Sequence, residues 1–212
     1  DADKERSNKA VLNQHFRTAI MYSLDRAAYN AQTTGEDLKL TSLINSFTPG
    51  NFVKLEKEVT LKIGDTDKTY AAGTFYGAIM QDQITADGFK YKVWDPQGGA
   101  DELGSSAGFD GWHNVEEARK ELALAIAELG IEVTKENPIM LDLPCFAGNE
   151  AYKNRANAFK LSLEAALEGK VVLNLVECAT AQDWYNAGYR YNIVDKQQYS
   201  GDVSLQYFLL SG

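Results

Sequence analysis

The spacing of apolar residues predicts helices alternating with short strands. Between residues 13 and 32, apolar side chains recur every three or four positions, which builds one buried face on a helix. Gly35 follows and can adopt the left-handed conformation that ends a helix. The pattern therefore predicts a single helix over 13–32. Its apolar stripe consists of Phe16, Ala19, Ile20, Leu24, Ala27, Ala28 and Ala31.

Residues 58–76 have the alternation of a β-hairpin, with Val59, Leu61 and Ile63 leading into a polar turn at 64–68 and the second strand resuming at Thr69. The stretch 86–114 then carries repeated Gly, Asp, Pro and Ser turn signals. Its aromatic residues predict an ordered excursion that is held against a neighbouring surface. These aromatic residues are Phe89, Tyr91, Trp94, Phe109 and Trp112.

The second half of the chain has the spacing of a strand–helix–strand unit. Asn114 can cap a helix that ends at Gly130, and a short strand follows at 139–143. Asn149 then opens a helix that leads to a second strand at 171–176. Two strands joined in this way lie parallel, with a right-handed crossover.

A helix capped near Thr180 and a last strand over 203–210 complete an α/β fold. The sequence stops at Gly212, directly after this apolar strand. A complete domain rarely stops there, so we expect the chain to be part of a longer protein.

Composition and charge exclude several classes of function. Acidic residues number 30 against 21 basic ones, and the formal net charge of −9 would repel a nucleic-acid backbone. No apolar run approaches the roughly 20 residues of a membrane-spanning helix. The N-terminus lacks the apolar region of a signal peptide, so the protein is either cytoplasmic or has lost its export segment.

The candidate reactive groups form no recognisable catalytic or metal-binding pattern. His15 is predicted to be a solvated residue at a helix start. Cys145 and Cys178 lack metal-ligand spacing, and we expect two unpaired thiols rather than a disulfide. Asp142 and Glu177 could be a carboxylate pair, but exposure or capping explains each. A hydrolase would need a nucleophile elbow such as G-x-S-x-G, and we do not expect Gly104-Ser105-Ser106 to supply one. We therefore expect no enzyme activity, no metal and no cofactor.

Three segments in order resemble the family 5 solute-binding proteins, the peptide-binding components of ABC importers. They are residues 15–29 (HFRTAIMYSLDRAAY), 111–120 (GWHNVEEARK) and 177–184 (ECATAQDW). The segment TGED at 34–37 is similar to the Gram-positive lipoprotein branch of that family.

The resemblance implies a bilobed extracellular receptor that closes on an extended peptide and binds it largely through main-chain hydrogen bonds. Residues 1–212 would form part of the C-terminal lobe, a periplasmic-binding-protein-like (type II) α/β lobe with a mixed sheet, interrupted by the turn-rich insertion at about 50–110. The expected partners are an oligopeptide and an ABC permease, and the expected state is a lipid-anchored monomer without affinity for nucleic acid. One lobe alone should not bind peptide measurably.

The same resemblance implies four ligand-binding positions: Trp184, Arg190, Leu210 and Gly212. Trp184 matches an aromatic that lines a side-chain pocket, although it could equally pack its helix onto the sheet. Arg190 aligns with a basic cleft residue, and the family often has a basic residue near Leu210. The motif that meets the peptide amino group would begin just after Gly212. The alternative function is a cell-surface module that senses peptides without transporting them.

Overall fold

The computed structural model describes residues 2–193, and the chain divides into two compact units. One unit combines residues 1–33 with the chain from 113 onward, and the other comprises residues 34–112. The predicted strand at 203–210 lies outside the described residues. In chain order the elements are α1 (Ala2–Leu12), α2 (Gln14–Ser23), α3 (Arg26–Thr34), a 3₁₀ turn (Glu36–Leu38), β1 (Val59–Ile63), β2 (Thr66–Tyr70), α4 (Tyr76–Ala86), α5 (Val115–Leu129), β3 (Ile139–Phe146), α6 (Glu150–Ala166), β4 (Val171–Cys178) and α7 (Ala181–Ile193).

Helix α1 was not predicted, because few of its side chains are apolar. It is held to the start of β3 by polar side chains. The Arg6 guanidinium donates to the carbonyl of Pro138 at 2.6 Å, and the Ser7 hydroxyl donates to the carbonyl of Met140 at 2.7 Å. These bonds satisfy strand carbonyls, so α1 docks without needing an apolar stripe.

The prediction of one helix over 13–32 is wrong, since α2 and α3 are separate helices that meet at Leu24 and Asp25. Leu24 has an extended backbone (φ −87°, ψ 118°) and buries its side chain. The Asp25 carboxylate accepts a hydrogen bond from the N–H of Ala28 at 2.8 Å, which opens α3. A capping residue inside the apolar pattern therefore breaks the helix. Gly35 has a positive φ of 78°, but its ψ of 167° lies outside the left-handed helical conformation that was predicted.

Helix α5 has both predicted ends. The Asn114 side chain accepts from the N–H of Glu117 at 3.2 Å, and Gly130 ends the helix in the left-handed conformation at φ 60°. Helix α5 packs against α2, and both helices bury apolar residues. These buried residues are Phe16, Ala19, Ile20, Ala118, Leu122 and Ala125.

Strands β3 and β4 are parallel, as predicted, with Ile139 opposite Val171 and Phe146 opposite Cys178. Each strand is longer than predicted, and β3 continues through Pro144 to Phe146. Helix α6 packs on both strands and α7 follows directly after β4. The carboxyl ends of both strands therefore face the starts of α6 and α7.

In the second unit, β1 and β2 form the predicted antiparallel hairpin, with Val59 opposite Tyr70. The second strand begins at Thr66, three positions before the predicted Thr69. Helix α4 was not predicted. It is tied to the hairpin by Asp82, whose carboxylate accepts from the Tyr70 hydroxyl at 2.7 Å and pairs with Lys68 at 2.6 Å.

The turn-rich stretch is ordered, as predicted, and a buried amide holds it in place. The Asn45 side chain donates to the carbonyls of Ser106 and Phe109 at 3.0 and 2.9 Å, and accepts from the N–H of Gly111 at 3.0 Å. Because both N–H donors and the carbonyl oxygen of this amide are matched to backbone groups, Asn45 fixes three loop positions at once. Trp94 adds an apolar centre, with 7% of its surface exposed.

The described residues confirm an α/β fold, with one antiparallel and one parallel two-stranded sheet. No helix among residues 2–193 is both long enough and apolar enough to cross a bilayer. The compact second unit begins at residue 34, earlier than the insertion expected at about 50–110. That both units belong to one lobe stays a prediction.

Candidate functional site

Aromatic side chains of the first unit gather at the carboxyl end of β3. They come from four separate elements, namely α3, β3, α6 and α7. In open α/β sheets, ligands bind beyond the carboxyl ends of the strands, so this position is a candidate binding site. The aromatic residues are Tyr29, Phe146, Tyr152, Phe159 and Trp184.

Trp184 is the member of this cluster that the sequence singled out. The cap at the start of α7 positions it, since the N–H of Asp183 donates to the Thr180 hydroxyl at 3.0 Å. The indole N–H donates to the carbonyl of Pro144 at 3.1 Å, and the ring meets Tyr152 edge-on with centroids 5.8 Å apart. The side chain is partly exposed. It therefore both packs α7 onto the sheet and presents a surface at the site.

Arg155 lies between two of the tyrosines. Its guanidinium carbon is 5.1 Å from the centre of the Tyr29 ring and 5.6 Å from that of Tyr152. Tyr29 also stacks on Phe159, with centroids 4.2 Å apart. Burial raises the pKa of Tyr29, and the adjacent Arg155 opposes that shift. The phenol is therefore neutral at physiological pH and donates or accepts hydrogen bonds without carrying charge.

These residues line a small cavity of about 30 Å³. That volume holds roughly one water molecule and excludes a large apolar side chain. Its walls are mostly apolar, and Arg155 supplies the charge. The arrangement suits a compact polar group of a ligand held between aromatic faces, the usual composition of a small-molecule or peptide subsite.

A second cavity, of about 260 Å³, lies at the carboxyl end of β4. Its polar groups are already engaged with neighbouring side chains. Glu177 pairs with Lys153 at 2.7 Å, and the Asp183 carboxylate accepts from the Thr180 hydroxyl at 2.7 Å. This cavity is acidic, but its acids serve a helix cap and an ion pair. The aromatic cavity is the stronger candidate.

The structure does not describe the side chains of the other three predicted ligand-binding residues. Arg190 lies on α7, and only its backbone is described. Leu210 and Gly212 lie outside the described residues. Their roles stay predictions.

Sequence reasoning missed Tyr29, Tyr152 and Arg155. Tyr152 and Arg155 are three positions apart on α6, so they lie on the same helix face near its start. An aromatic residue and an arginine at this spacing, just after a parallel strand, could have indicated a binding site from the sequence. Nothing local indicates that Tyr29 joins them, since it lies more than 120 positions earlier.

The cysteines are unpaired and buried, as predicted. The register explains this, because Cys178 is opposite Phe146, whereas Cys145 is opposite Glu177. Successive residues of a strand face opposite sides, so the two thiols point away from each other. Burial raises the pKa of each thiol, which disfavours a reactive thiolate.

His15 is not simply solvated, as the sequence suggested. Its Nδ1 lies 2.6 Å from the carboxylate of Glu121, and its Nε2 lies 3.4 Å from that of Glu128. The hydrogen bond with Glu121 raises the pKa of His15. The group joins α2 to α5. Within residues 2–193, no cluster of three or more His, Cys, Asp or Glu side chains could hold a metal ion.

Asp142 and Glu177 do not act as a carboxylate pair in the described residues. The Asp142 carboxylate accepts from the side-chain amide of Asn174 at 2.8 Å, across the β3–β4 ladder. Glu177 is engaged by Lys153, as described above. Glu177 is exposed, as predicted, whereas Asp142 is partly buried and is bonded across the sheet to Asn174.

Comparison with known proteins identifies relatives of this chain. It is 28% identical to the oligopeptide-binding protein AmiA of Streptococcus pneumoniae over 89% of its length, and 28% identical to the oligopeptide-binding protein SarA of Streptococcus gordonii over 79%. It is 29% identical to the oligopeptide-binding protein AliA of S. pneumoniae, also over 79%. The chain is a relative of the oligopeptide-binding proteins. This confirms the resemblance to the family 5 solute-binding proteins.

The chain spans 21–25% of the length of these oligopeptide-binding proteins. No protein-family model matches it. The similarity extends into both compact units, because 79–89% of the chain is aligned, which is more than either unit alone comprises. Each of these relatives is named as a binding protein rather than an enzyme.

Proposed function

We propose that this chain is part of an extracellular receptor that binds oligopeptides and delivers them to an ABC importer. The observation that carries the proposal is the similarity to oligopeptide-binding proteins over 79–89% of the chain. The aromatic cavity at the carboxyl end of β3 supports it, since it has the composition and position of a ligand subsite.

The chemistry of the described residues is consistent with binding rather than catalysis. The buried thiols have raised pKa values, and His15 is engaged with Glu121 in a contact between α2 and α5. Neither arrangement supplies an activated nucleophile with a base. In this proposal the protein is not an enzyme and requires no cofactor.

Further parts of the proposal concern the whole protein. Residues 1–212 form part of one lobe, and the second unit is an insertion in it. The receptor is a monomer anchored to the outer face of the membrane by a lipid, and its permease partner takes the released peptide.

Titration calorimetry of the full gene product with a library of short peptides tests this function. We expect saturable binding of peptides and none of free sugars. A second assay follows uptake of a labelled peptide by cells with and without the gene. A protein that binds no peptide, or a deletion strain with unchanged uptake across the library, contradicts the proposal.

A further inference from the structure

Arg155 has an unusual set of neighbours for a partly buried cation. One terminal nitrogen donates to the Thr33 hydroxyl at 2.8 Å, and the tyrosine rings described above flank the guanidinium. Its Nε is buried and has no hydrogen-bond partner among residues 2–193. A guanidinium carries five N–H donors, and the Thr33 hydroxyl takes up one of them, so the described part of the chain leaves donors of this group available.

Other cations on the same helix are neutralised. Lys153 pairs with Glu177 at 2.7 Å, and Lys160 pairs with Glu164 four positions away. Within residues 2–193, no carboxylate lies within ion-pair distance of Arg155, although the chain has an excess of acidic residues. A partly buried charge normally has an opposite charge beside it, because removing it from water is costly. The missing partner is therefore informative.

The chemistry of the cavity indicates what that partner is. A guanidinium offers parallel N–H donors that match the two oxygens of a carboxylate. The small cavity volume excludes a bulky group, whereas a carboxylate is compact. Tyr152 and Trp184 are partly exposed and flank the approach, so they can shield such a contact from water.

We propose that Arg155 binds a carboxylate of the peptide ligand, either the C-terminal carboxylate or an Asp or Glu side chain. This inference rests on the proposed peptide-binding function. It makes the aromatic cavity a specificity-determining subsite for acidic groups.

The competing explanation is structural. Stacked between Tyr29 and Tyr152 and bonded to Thr33, Arg155 could serve only to fasten α3 to α6. In that case its loss would lower the stability of the protein and weaken the binding of all peptides alike. A carboxylate-binding role predicts instead a selective loss, confined to peptides that carry the recognised group.

The test uses the full gene product and calorimetry with one peptide sequence in four forms. The C-terminus is free or amidated, and one side chain is Asp or Asn. We expect removal of one of the two carboxylates to weaken binding to the wild type by about tenfold or more, the change typical for a hydrogen bond to a charged group. Whichever change has this effect identifies the source of the carboxylate.

Arg155→Met should abolish that difference, while the affinity for the neutral form changes by less than about threefold. Arg155→Lys keeps the charge without the planar fork and should keep only part of the preference. Lys153→Met, which removes the neighbouring paired cation, is the control and should leave the preference intact. If Arg155→Met does not fold, the lysine variant and the wild-type peptide series still decide the matter.

Five results overturn the inference. A wild type that binds peptides but ignores both carboxylates overturns it while the proposed function stands. If Arg155→Met weakens the binding of all four peptides equally, Arg155 has only a structural role. A lysine variant whose preference fully matches the wild type, or a preference lost in Lys153→Met, removes Arg155 as the specific contact. A wild type that binds no peptide overturns both proposals.

Discussion

The indole N–H of Trp184 donates a hydrogen bond to the carbonyl of Pro144, at 3.1 Å. This bond fixes one edge of the ring at the carboxyl end of β3, while part of the side chain stays exposed. The two interpretations left open by the sequence, a packing residue and a cleft residue, are therefore compatible. The structure shows the packing contact directly, and the following substitutions test the ligand contact.

Trp184→Ala is expected to weaken peptide binding by the full gene product. It should lower the free energy of unfolding by about 1–2 kcal/mol, from one lost hydrogen bond and a partly buried ring. A fully buried aromatic would cost roughly 3–5 kcal/mol. Calorimetry with a peptide and urea unfolding of the same variant measure the two effects.

The matched control is Tyr185→Ala, because Tyr185 is the next residue on α7 and is 58% exposed. It should leave the affinity for peptide unchanged and lower the free energy of unfolding by less than about 0.5 kcal/mol. A stability loss of the buried-aromatic size for Trp184→Ala, with unchanged affinity, would show that this tryptophan serves packing alone.

Cys145 and Cys178 should both titrate as free thiols in unfolded protein without reductant. The strand register turns them to opposite faces, which prevents a bridge. Each single substitution to Ala should lower the thiol count by one. In the folded protein, alkylation should be much slower than after unfolding, because burial raises both pKa values. A count that rises only after reduction would show a disulfide.

The parts of the fold that depend on neighbours in sequence could be predicted. Asn114 caps α5 and Asn149 caps α6 through hydrogen bonds that span two or three residues. Gly130 ends α5 for an equally local reason. Such interactions are present in the pattern of residue types, so the strand–helix–strand unit follows from it.

Features that depend on distant partners could not be predicted. Ser7 docks α1 through a carbonyl 133 positions away, and Asn45 holds loop positions more than 60 residues later. The same limit applies to the site. Trp184 could be predicted as a site residue because it follows a strand. Arg155 could not, because its role depends on its contact with Tyr29, which is distant in sequence.

The contact between His15 and Glu121 should make stability depend on pH near neutrality. The hydrogen bond raises the pKa of His15 above its ordinary value of 6.5. A raised pKa means that the folded state binds the proton more tightly, so this contribution is fully present below the unfolded pKa. It is lost as the pH rises through the higher, folded pKa. Urea unfolding at a series of pH values between about 6 and 8.5 measures it.

His15→Gln and Glu121→Gln should each remove this part of the pH dependence, and the double variant should remove no more than either one. Additive effects would show that the two groups do not act together. A wild-type stability that rises with pH in this window through His15 would contradict the direction of the shift.

Gly77→Ala should destabilise the second unit, although alanine favours helix more than glycine by about 1 kcal/mol. Gly77 lies in the first turn of α4, where a Cβ would come within 2.2 Å of the Trp94 ring. Trp94 is 7% exposed and cannot move away freely, so overpacking should cost about 1–3 kcal/mol. Chemical unfolding followed by tryptophan fluorescence measures the loss.

The double variant Gly77→Ala/Trp94→Leu tests the cause, because the smaller side chain leaves room for the added methyl group. Gly77→Ala should then cost less in the Trp94→Leu background than in the wild type. An equal cost in both backgrounds would show that the Trp94 ring is not what excludes a side chain at position 77.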